Sequence, residues 1–195
     1  NSGGWDFFLV KYNSSGEKQW TQQLGTSSND TAKGVVVDSS DNIYVTGVTS
    51  GGLAVPFTTG GPDGHTYTGT HSGNASNDIF LVKYNSSGEK QWAQQLGTDK
   101  DDQGEGVTVD SSDNIYVVGQ TQGGLDNNTF SGDWDFFLVK YNSSGTKQWT
   151  QQLGTSSTDY GNAVAVDSSD NIYVTGTTNG GLDNNTNFGA NDIFL

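Results

Sequence analysis

Three times in this chain a pair of serines stands between two aspartates and is followed by an asparagine: Asp38-Ser39-Ser40-Asp41-Asn42, Asp110-Ser111-Ser112-Asp113-Asn114 and Asp167-Ser168-Ser169-Asp170-Asn171. Carboxylate and amide oxygens gathered this closely could hold Ca²⁺, a hard cation that takes oxygen ligands. The spacing is not the alternating-aspartate pattern of a calcium loop, however. Asp and Asn also close tight corners by bonding to their own backbone two residues on. A hairpin corner is therefore the preferred reading, with Ca²⁺ as the one ion worth testing. Asp99, Asp101 and Asp102 make a denser acidic stretch, read as a solvated loop rather than a weak ion site. The two histidines, His65 and His71, share one loop with Tyr67 and Thr70, where decoration is expected over metal binding. No Ser/His/Asp set recurs, and the many carboxylates show no sign of paired, differing environments. The Gly51-Gly52 and Gly123-Gly124 pairs lack the lysine and following helix of a phosphate loop. No catalytic residue, bound cofactor or resident metal is expected.

Two further residue classes could meet a ligand. Asn-x-Ser/Thr sequons stand at Asn13, Asn29, Asn74, Asn85, Asn127, Asn142 and Asn184, and are candidate glycosylation sites. Trp20, Trp92 and Trp149, with Tyr44, Tyr116 and Tyr173, could stack on sugars. Their fixed register points instead to packing between repeated units, the three tryptophans above all. Trp5 and Trp134 give way to Asn77 and Asn191 in the other units and are freer to be surface contacts.

The elements that place these residues are repeats. The stretch Phe8-Leu9-Val10-Lys11-Tyr12-Asn13-Ser14-Ser15-Gly16 runs into Lys18-Gln19-Trp20-Thr21-Gln22-Gln23-Leu24, and returns from Phe80 and from Phe137 almost unchanged. Two apolar runs about an Asn-Ser-Ser-Gly corner read as a hairpin. Asp78, Asp135 and Asp192 are spaced by 57 positions, and Asp6 lies 72 before Asp78, so the first unit carries a 15-residue insertion within residues 53–76. Each unit holds four strand candidates: Gly34 to Asp38, Ile43 to Thr46, the Phe-Leu-Val-Lys-Tyr strand, and the Trp strand. Four antiparallel strands per repeat of this length is the arithmetic of a propeller blade. Unbroken apolar runs at residues 35–37 and 7–10 call for cover on both faces, as in stacked sheets. The alternation from Gln19 to Leu24 fits a half-exposed outer strand. The expected order runs from the Gly34 strand, innermost, to the Trp strand, outermost.

The fold class expected is all-β, a propeller-type array of four-stranded antiparallel blades. Its expected division is residues 1–25 (third and outer strands of a blade), 33–97 (a blade with insertion 53–76), 104–154 (a blade) and 162–195 (an incomplete blade). Three blades would close a very tight ring against the usual 4–8, so an open or shared array is expected. The absence of Met and the start and finish within a repeat suggest an excerpt of a longer array.

Composition narrows the function classes. The net charge is −14 and all basic residues are lysines, which argues against a nucleic-acid partner and against docking on anionic lipid. No apolar run approaches the ~18 residues of a membrane span. With no cysteine there are no disulfides, thiol catalysis or zinc–thiolate sites.

The run Gly34-Val35-Val36-Val37-Asp38-Ser39-Ser40-Asp41-Asn42-Ile43-Tyr44-Val45-Thr46-Gly47, followed by Asp78-Ile79-Phe80-Leu81-Val82-Lys83-Tyr84-Asn85 and Gly88-Glu89-Lys90-Gln91-Trp92, resembles the SBBP β-propeller repeat family. The resemblance covers the chain apart from the insertion. It implies large secreted or surface proteins of bacteria and archaea, with no assigned catalytic residues. The Gly-x-x-x-Trp feature is also similar to quinoprotein-type propellers, but nothing else here justifies their cofactor. The expectation is a non-enzymatic, extracellular, self-associating segment of a surface fibre, sheath or large adhesin. The alternative is a glycan-binding module, with specificity in the loops 53–76, 125–133 and 182–190.

Overall fold

The computed structural model describes residues 3–52 and 76–194; His65, His71, Asn74 and nearly all of the insertion lie outside them. Thirteen strands run among the described residues: β1 (Phe7–Tyr12), β2 (Lys18–Leu24), β3 (Asp30–Val37), β4 (Ile43–Thr49), β5 (Asp78–Tyr84), β6 (Lys90–Leu96), β7 (Asp102–Val109), β8 (Ile115–Thr121), β9 (Asp135–Tyr141), β10 (Lys147–Leu153), β11 (Asp159–Val166), β12 (Ile172–Thr178) and β13 (Asp192–Phe194). They form four antiparallel sheets, ordered β1-β2, β3-β4-β5-β6, β7-β8-β9-β10 and β11-β12-β13. This is the all-β, blade-like architecture expected, with the strand order read from the apolar pattern. Among the described residues the sheets follow one another without closing into a barrel.

Two kinds of corner set the register. At the Asn-Ser-Ser-Gly corner, Asn13 Oδ1 accepts the amides of Ser15 and Glu17 at 3.0 and 2.9 Å, and Gly16 takes φ +80°, a left-handed value that costs glycine nothing. Gly88 and Gly145 repeat it at +83° and +86°. A second glycine serves inside β4: a Cβ on Gly47 would lie 2.0 Å from the Thr31 carbonyl. Beside it the register slips between Ala32 and Gly34, and β8 and β12 repeat the arrangement through Gly119 and Gly176. A strand glycine here marks a bulge where two backbones approach closely.

The core lies between sheets rather than inside one. Tyr44, Ile79 and Leu81 meet Ile115, Val117, Phe137 and Val139 across one junction. Phe7 meets Ile43, Val45, Phe80 and Val82 across the one before it, with Phe7 and Phe80 stacked at 4.8 Å. Phe136 and Phe194 repeat that stack at the third, also at 4.8 Å. Each large side chain wholly buried in this way contributes about 1.5–3 kcal/mol.

The expectation of cover on both faces fails at the first sheets. Val35 and Val37 are 59% and 51% exposed, and Phe8 is 69% exposed. One face of β3 is covered by β7, and the other lies towards the β1-β2 sheet, which among the described residues has no inner strands to lay across it.

Candidate functional site

Two sets of carboxylates stand at opposite ends of each inner strand, and at the junctions of the second with the third sheet and of the third with the last, one of them reaches across to the neighbouring blade. At one end lies the Asp-Ser-Ser-Asp-Asn corner. Asp38 Oδ1 accepts the amides of Ser40 and Asn42 at 2.9 and 2.8 Å, while Oδ2 accepts Asn42 Nδ2 and the Tyr44 hydroxyl, both at 2.9 Å. Asp110 and Asp167 gather the same partners from Ser112, Asn114 and Tyr116, and from Ser169, Asn171 and Tyr173. Burial works against the charge on Asp38 and Asp110, but these donors outweigh it and hold both carboxyls below their ordinary value. At Asp167 the bonds from Asn171 come first, and its carboxyl falls to about 2. Tyr44 responds in the opposite sense: desolvation, then its bond to Asp38, raises its hydroxyl. Both oxygens of each leading aspartate are thus occupied by internal donors, the arrangement of a corner rather than of a cation cage. Among the described residues no three His, Asp or Glu side chains converge as metal ligands.

The second aspartate of the corner does something the spacing did not reveal. Asp41, Asp113 and Asp170 sit at φ 61°, 60° and 61°, and the carboxylates of Asp113 and Asp170 reach the preceding blade. Asp113 accepts from the amide and hydroxyl of Ser39 at 3.1 and 3.0 Å, and Asp170 from those of Ser111 at 2.9 and 2.7 Å. The corner is a latch between neighbours. Lysines support it: Lys140 lies 3.7 Å from Asp110 and 5.1 Å over the Tyr116 ring, and Lys83 sits at the same height over Tyr44.

At the other end lie aspartates that sequence reasoning read as loop acids or passed over. Asp30, Asp102 and Asp159 are 1%, 0% and 0% exposed. Asp30 accepts the Thr26 amide at 2.6 Å, the Thr26 hydroxyl at 2.9 Å and the Thr49 hydroxyl at 2.5 Å. Asp102 takes the same three donors from Thr98 and Thr121, and Asp159 from Thr155 and Thr178. Asp102 therefore belongs to a buried structural set with one member in each unit, not to an acidic patch. Desolvation, only partly offset by its threonines and reinforced by Asp78, raises its carboxyl to about 6. A neighbouring set joins Gln23 to Asp6, Gln95 to Asp78 and Gln152 to Asp135 at 2.7, 2.6 and 2.9 Å. Burial, with Asp159 nearby, raises Asp135 as well. Recurrence at the repeat interval, 72 positions across the insertion and 57 after it, was the signal that could have found all of these.

The remaining sequence-singled residues scatter around this frame. Trp20 lies on the next blade's corner, its indole nitrogen 3.4 Å from the Ser86 carbonyl and its ring against Gly88; Trp92 meets Gly145 in the same way. Trp92 and Trp149 also pack on Tyr44 and Tyr116 at 5.9 and 6.0 Å. Among the sequons, Asn13, Asn85 and Asn142 hold their own hairpin corners, and Asn13 and Asn85 turn Nδ2 to Glu17 and Glu89, both at 2.7 Å. Asn29 accepts the Trp5 amide, and Asn127 and Asn184 sit exposed in left-handed backbone. Trp5 is 77% exposed. The loops expected to recognise ligands open with three-residue 3₁₀ turns, Leu125–Asn127 and Leu182–Asn184, whose leucines are buried at 0% and 7% and plug the blade.

A model of the β-propeller repeat called SBBP matches residues 19–54, 91–126 and 148–183, more than half of the chain. The chain belongs to this family. Each match runs from an outer strand through the following inner hairpin, so the family's unit spans the junction at which the two aspartate sets stand. The SBBP chain is also 26% identical over 171 residues to the regulatory protein FlaEY of Caulobacter vibrioides, covering 84% of this chain and 17% of that protein. It is 32% identical over 108 residues to an uncharacterized WD repeat-containing protein of Acanthamoeba polyphaga mimivirus, covering 44% of this chain and 8% of that one. The chain thus spans less than a fifth of the length of either relative.

Proposed function

We propose that this SBBP array acts without catalysis, as an extracellular structural segment of a surface fibre, sheath or large adhesin that associates with itself. The observation that carries the reading is the fate of one residue repeated three times. Tyr44 and Tyr116 are 0% and 2% exposed because a further blade covers them, whereas Tyr173 on the last sheet is 48% exposed. Ile193 on the same sheet is 87% exposed. The face that carries this tyrosine recurs in every unit and fits any further blade of the same kind, so contacts between copies repeat and weak ones sum through avidity. The extracellular setting rests on kinship with the family, and the charge of −14 suits a soluble surface. The name of the Caulobacter relative suits binding of a partner, which is the part of a regulatory role that blades can supply.

Light-scattering mass after size exclusion, with and without EDTA, tests the reading. Concentration-dependent oligomers support it, and a monomer at every concentration overturns it. Loss of oligomers in EDTA would bring Ca²⁺ into the assembly. Trp5 and Phe188, 77% and 90% exposed, favour a second reading, a glycan-binding module. Glycan-array binding lost on replacing residues 182–190 with Gly/Ser would establish that one instead.

A further inference from the structure

At the end of the inner strand opposite the latch, carboxyls face carboxyls across the blade junctions. Asp102 opens β7 and donates its amide to the Asn77 carbonyl at 2.8 Å, which sets it beside Asp78, the first residue of β5 in the blade before. Asp159 opens β11 and donates to the Trp134 carbonyl at 2.8 Å, which sets it beside Asp135, the first residue of β9. Asp30 and Asp6 repeat the arrangement through the Trp5 carbonyl. Asp78, Asp102, Asp135 and Asp159 are each 1% exposed or less. A glycine makes room for each pair. The point where a Cβ of Gly97 would stand lies 2.2 Å from Asp78 Oδ1 and 3.1 Å from Asp102 Oδ2, and that of Gly154 lies 2.0 Å from Asp135 Oδ1.

The two members of a pair are not equally provided for. Asp159 Oδ2 accepts the amide and hydroxyl of Thr155 at 2.6 and 2.9 Å, and its Oδ1 accepts the Thr178 hydroxyl. Asp135 Oδ2 accepts the Ser131 amide and Gln152 Nε2, both at 2.9 Å, but Asp135 Oδ1 is buried with no donor among the described residues. An ionised oxygen shut away without a donor is strongly destabilising. The charged groups around this pair all have the same sign: Asp102, reached through Thr121, Asp192, opposite Thr178 in the last sheet, and Asp133, two residues before Asp135. The lysines of β9 and β10 pair elsewhere, Lys140 with Asp110 and Lys147 with Asp126. A hard cation would need about six to eight oxygen ligands, and Asp159 Oδ2 already faces an N–H. A proton needs only the two carboxyls.

We propose that the Asp78–Asp102 and Asp135–Asp159 junctions each hold one proton between their two carboxyls, carried in the latter by Asp135 Oδ1 and turned towards Asp159, so that a carboxyl–carboxylate hydrogen bond draws adjacent blades together. The proton is taken from solvent as the junction closes and returns to it on opening; no bond between heavy atoms changes. Two carboxyls in one buried site do not both ionise, and the proton they retain belongs to the pair. Burial first, and Asp159 after it, raise Asp135 against its bonds from Gln152 and Ser131, and burial with Asp78 raises Asp102 against its threonines. The stabilisation is full below the unfolded value of about 3.8 and is lost as pH rises through the raised ones. Each junction is thus a fastener that mild acid tightens and alkali loosens, whether or not copies of the chain associate.

Carboxyl-carbon NMR on the whole wild-type chain tests this without any substitution. The Asp135 resonance should remain that of the protonated acid well above the ordinary aspartate value of about 3.9; ionisation in the ordinary range overturns the proposal. Asp135→Asn keeps an acceptor for Ser131 and Gln152 and places a permanent N–H where the proton sits. Its urea midpoint should match that of wild type at about pH 4 and exceed it at about pH 8. A midpoint below that of wild type by the same amount at both overturns the proton. Asp159→Asn removes an acceptor from bonded threonines and should lower the midpoint at both pH values. If it stabilises at the higher pH and Asp135→Asn does not, the assignment to Asp135 fails. A wild-type midpoint at about pH 8 that rises in Ca²⁺ and falls back in EDTA, with no such rise in Asp135→Asn, puts a cation in the site and overturns the proton as well. Circular dichroism confirms that each variant folds.

Discussion

Each inner strand has an aspartate at either end, Asp30 and Asp38, Asp102 and Asp110, Asp159 and Asp167, and the two ends treat the same side chain differently. At the corner, Asp110 collects amide and phenol donors at the rim of the blade and its carboxyl is held down. At the start of the strand, Asp102 collects three donors from threonines, but out of water, and its carboxyl rises to about 6. The number of donors is similar; what differs is solvent. A carboxylate at the rim loses part of its hydration and its donors outweigh the loss, whereas one shut away completely loses more than the same number of donors returns.

That contrast predicts a graded set of effects. The largest belongs to Asp102→Ala, which strands the Thr98 amide and the Thr98 and Thr121 hydroxyls in the interior and should lower stability by about 3 kcal/mol in urea melts. A loss under about 1 kcal/mol would mean that water replaces the acceptor and that the two ends are alike. Asp110→Ala should cost less, about 1.5 kcal/mol, because its donors lie nearer to solvent.

Acid should then separate the two ends by sign. Asp102 titrates near 6 in the fold against about 3.8 unfolded, so the native state takes the proton first. Its contribution to stability grows as pH falls through 6 and is complete below about 4. Thermal midpoints should therefore rise between pH 7 and pH 5 by roughly 3 °C, about 1 kcal/mol for a domain of this size, and Asp102→Asn should not show the rise. Asp167, held near 2, acts oppositely: its contribution is present above about 3.8 and is lost as pH falls towards 2. The smallest effect is that of Asp113→Ala, which opens the latch to Ser39 and should remove about 0.5 kcal/mol. Amide exchange at Ser39 should speed up while that at Ser111, still latched to Asp170, does not.

The sequence made the blades legible because strand, corner and repeat each leave a local signature: apolar runs, Asn-Ser-Ser-Gly, and a fixed interval. It was also right to hint at corners in Asp-Ser-Ser-Asp-Asn, since the leading aspartate bonds within its own five residues. The latch was not legible, because Ser39 and Asp113 meet across a junction 74 residues long in the chain and no local pattern records that. Nor were Asp30 and its equivalents, whose partners Thr26 and Thr49 lie on either side of a strand and which read as ordinary loop acids until burial is known. The exposure of Val35 and Phe8 escaped for another reason. An apolar run reveals that a face expects cover, but not whether the covering sheet is complete.

The identity of β2 and β10 has a consequence for how the chain reaches its fold. A refolding polypeptide holding near-identical outer strands offers every third strand more than one correct-looking partner. Chain connectivity breaks the tie: β10 reaches β9 over a short corner, whereas β2 would have to close a loop of more than a hundred residues to reach the same edge. By loop-closure entropy that difference is worth about 3 kcal/mol in favour of the neighbour. Between separate molecules the discrimination weakens as concentration rises. Dilute refolding should therefore give native pairing, and concentrated refolding a tangle of exchanged hairpins whose every contact looks native.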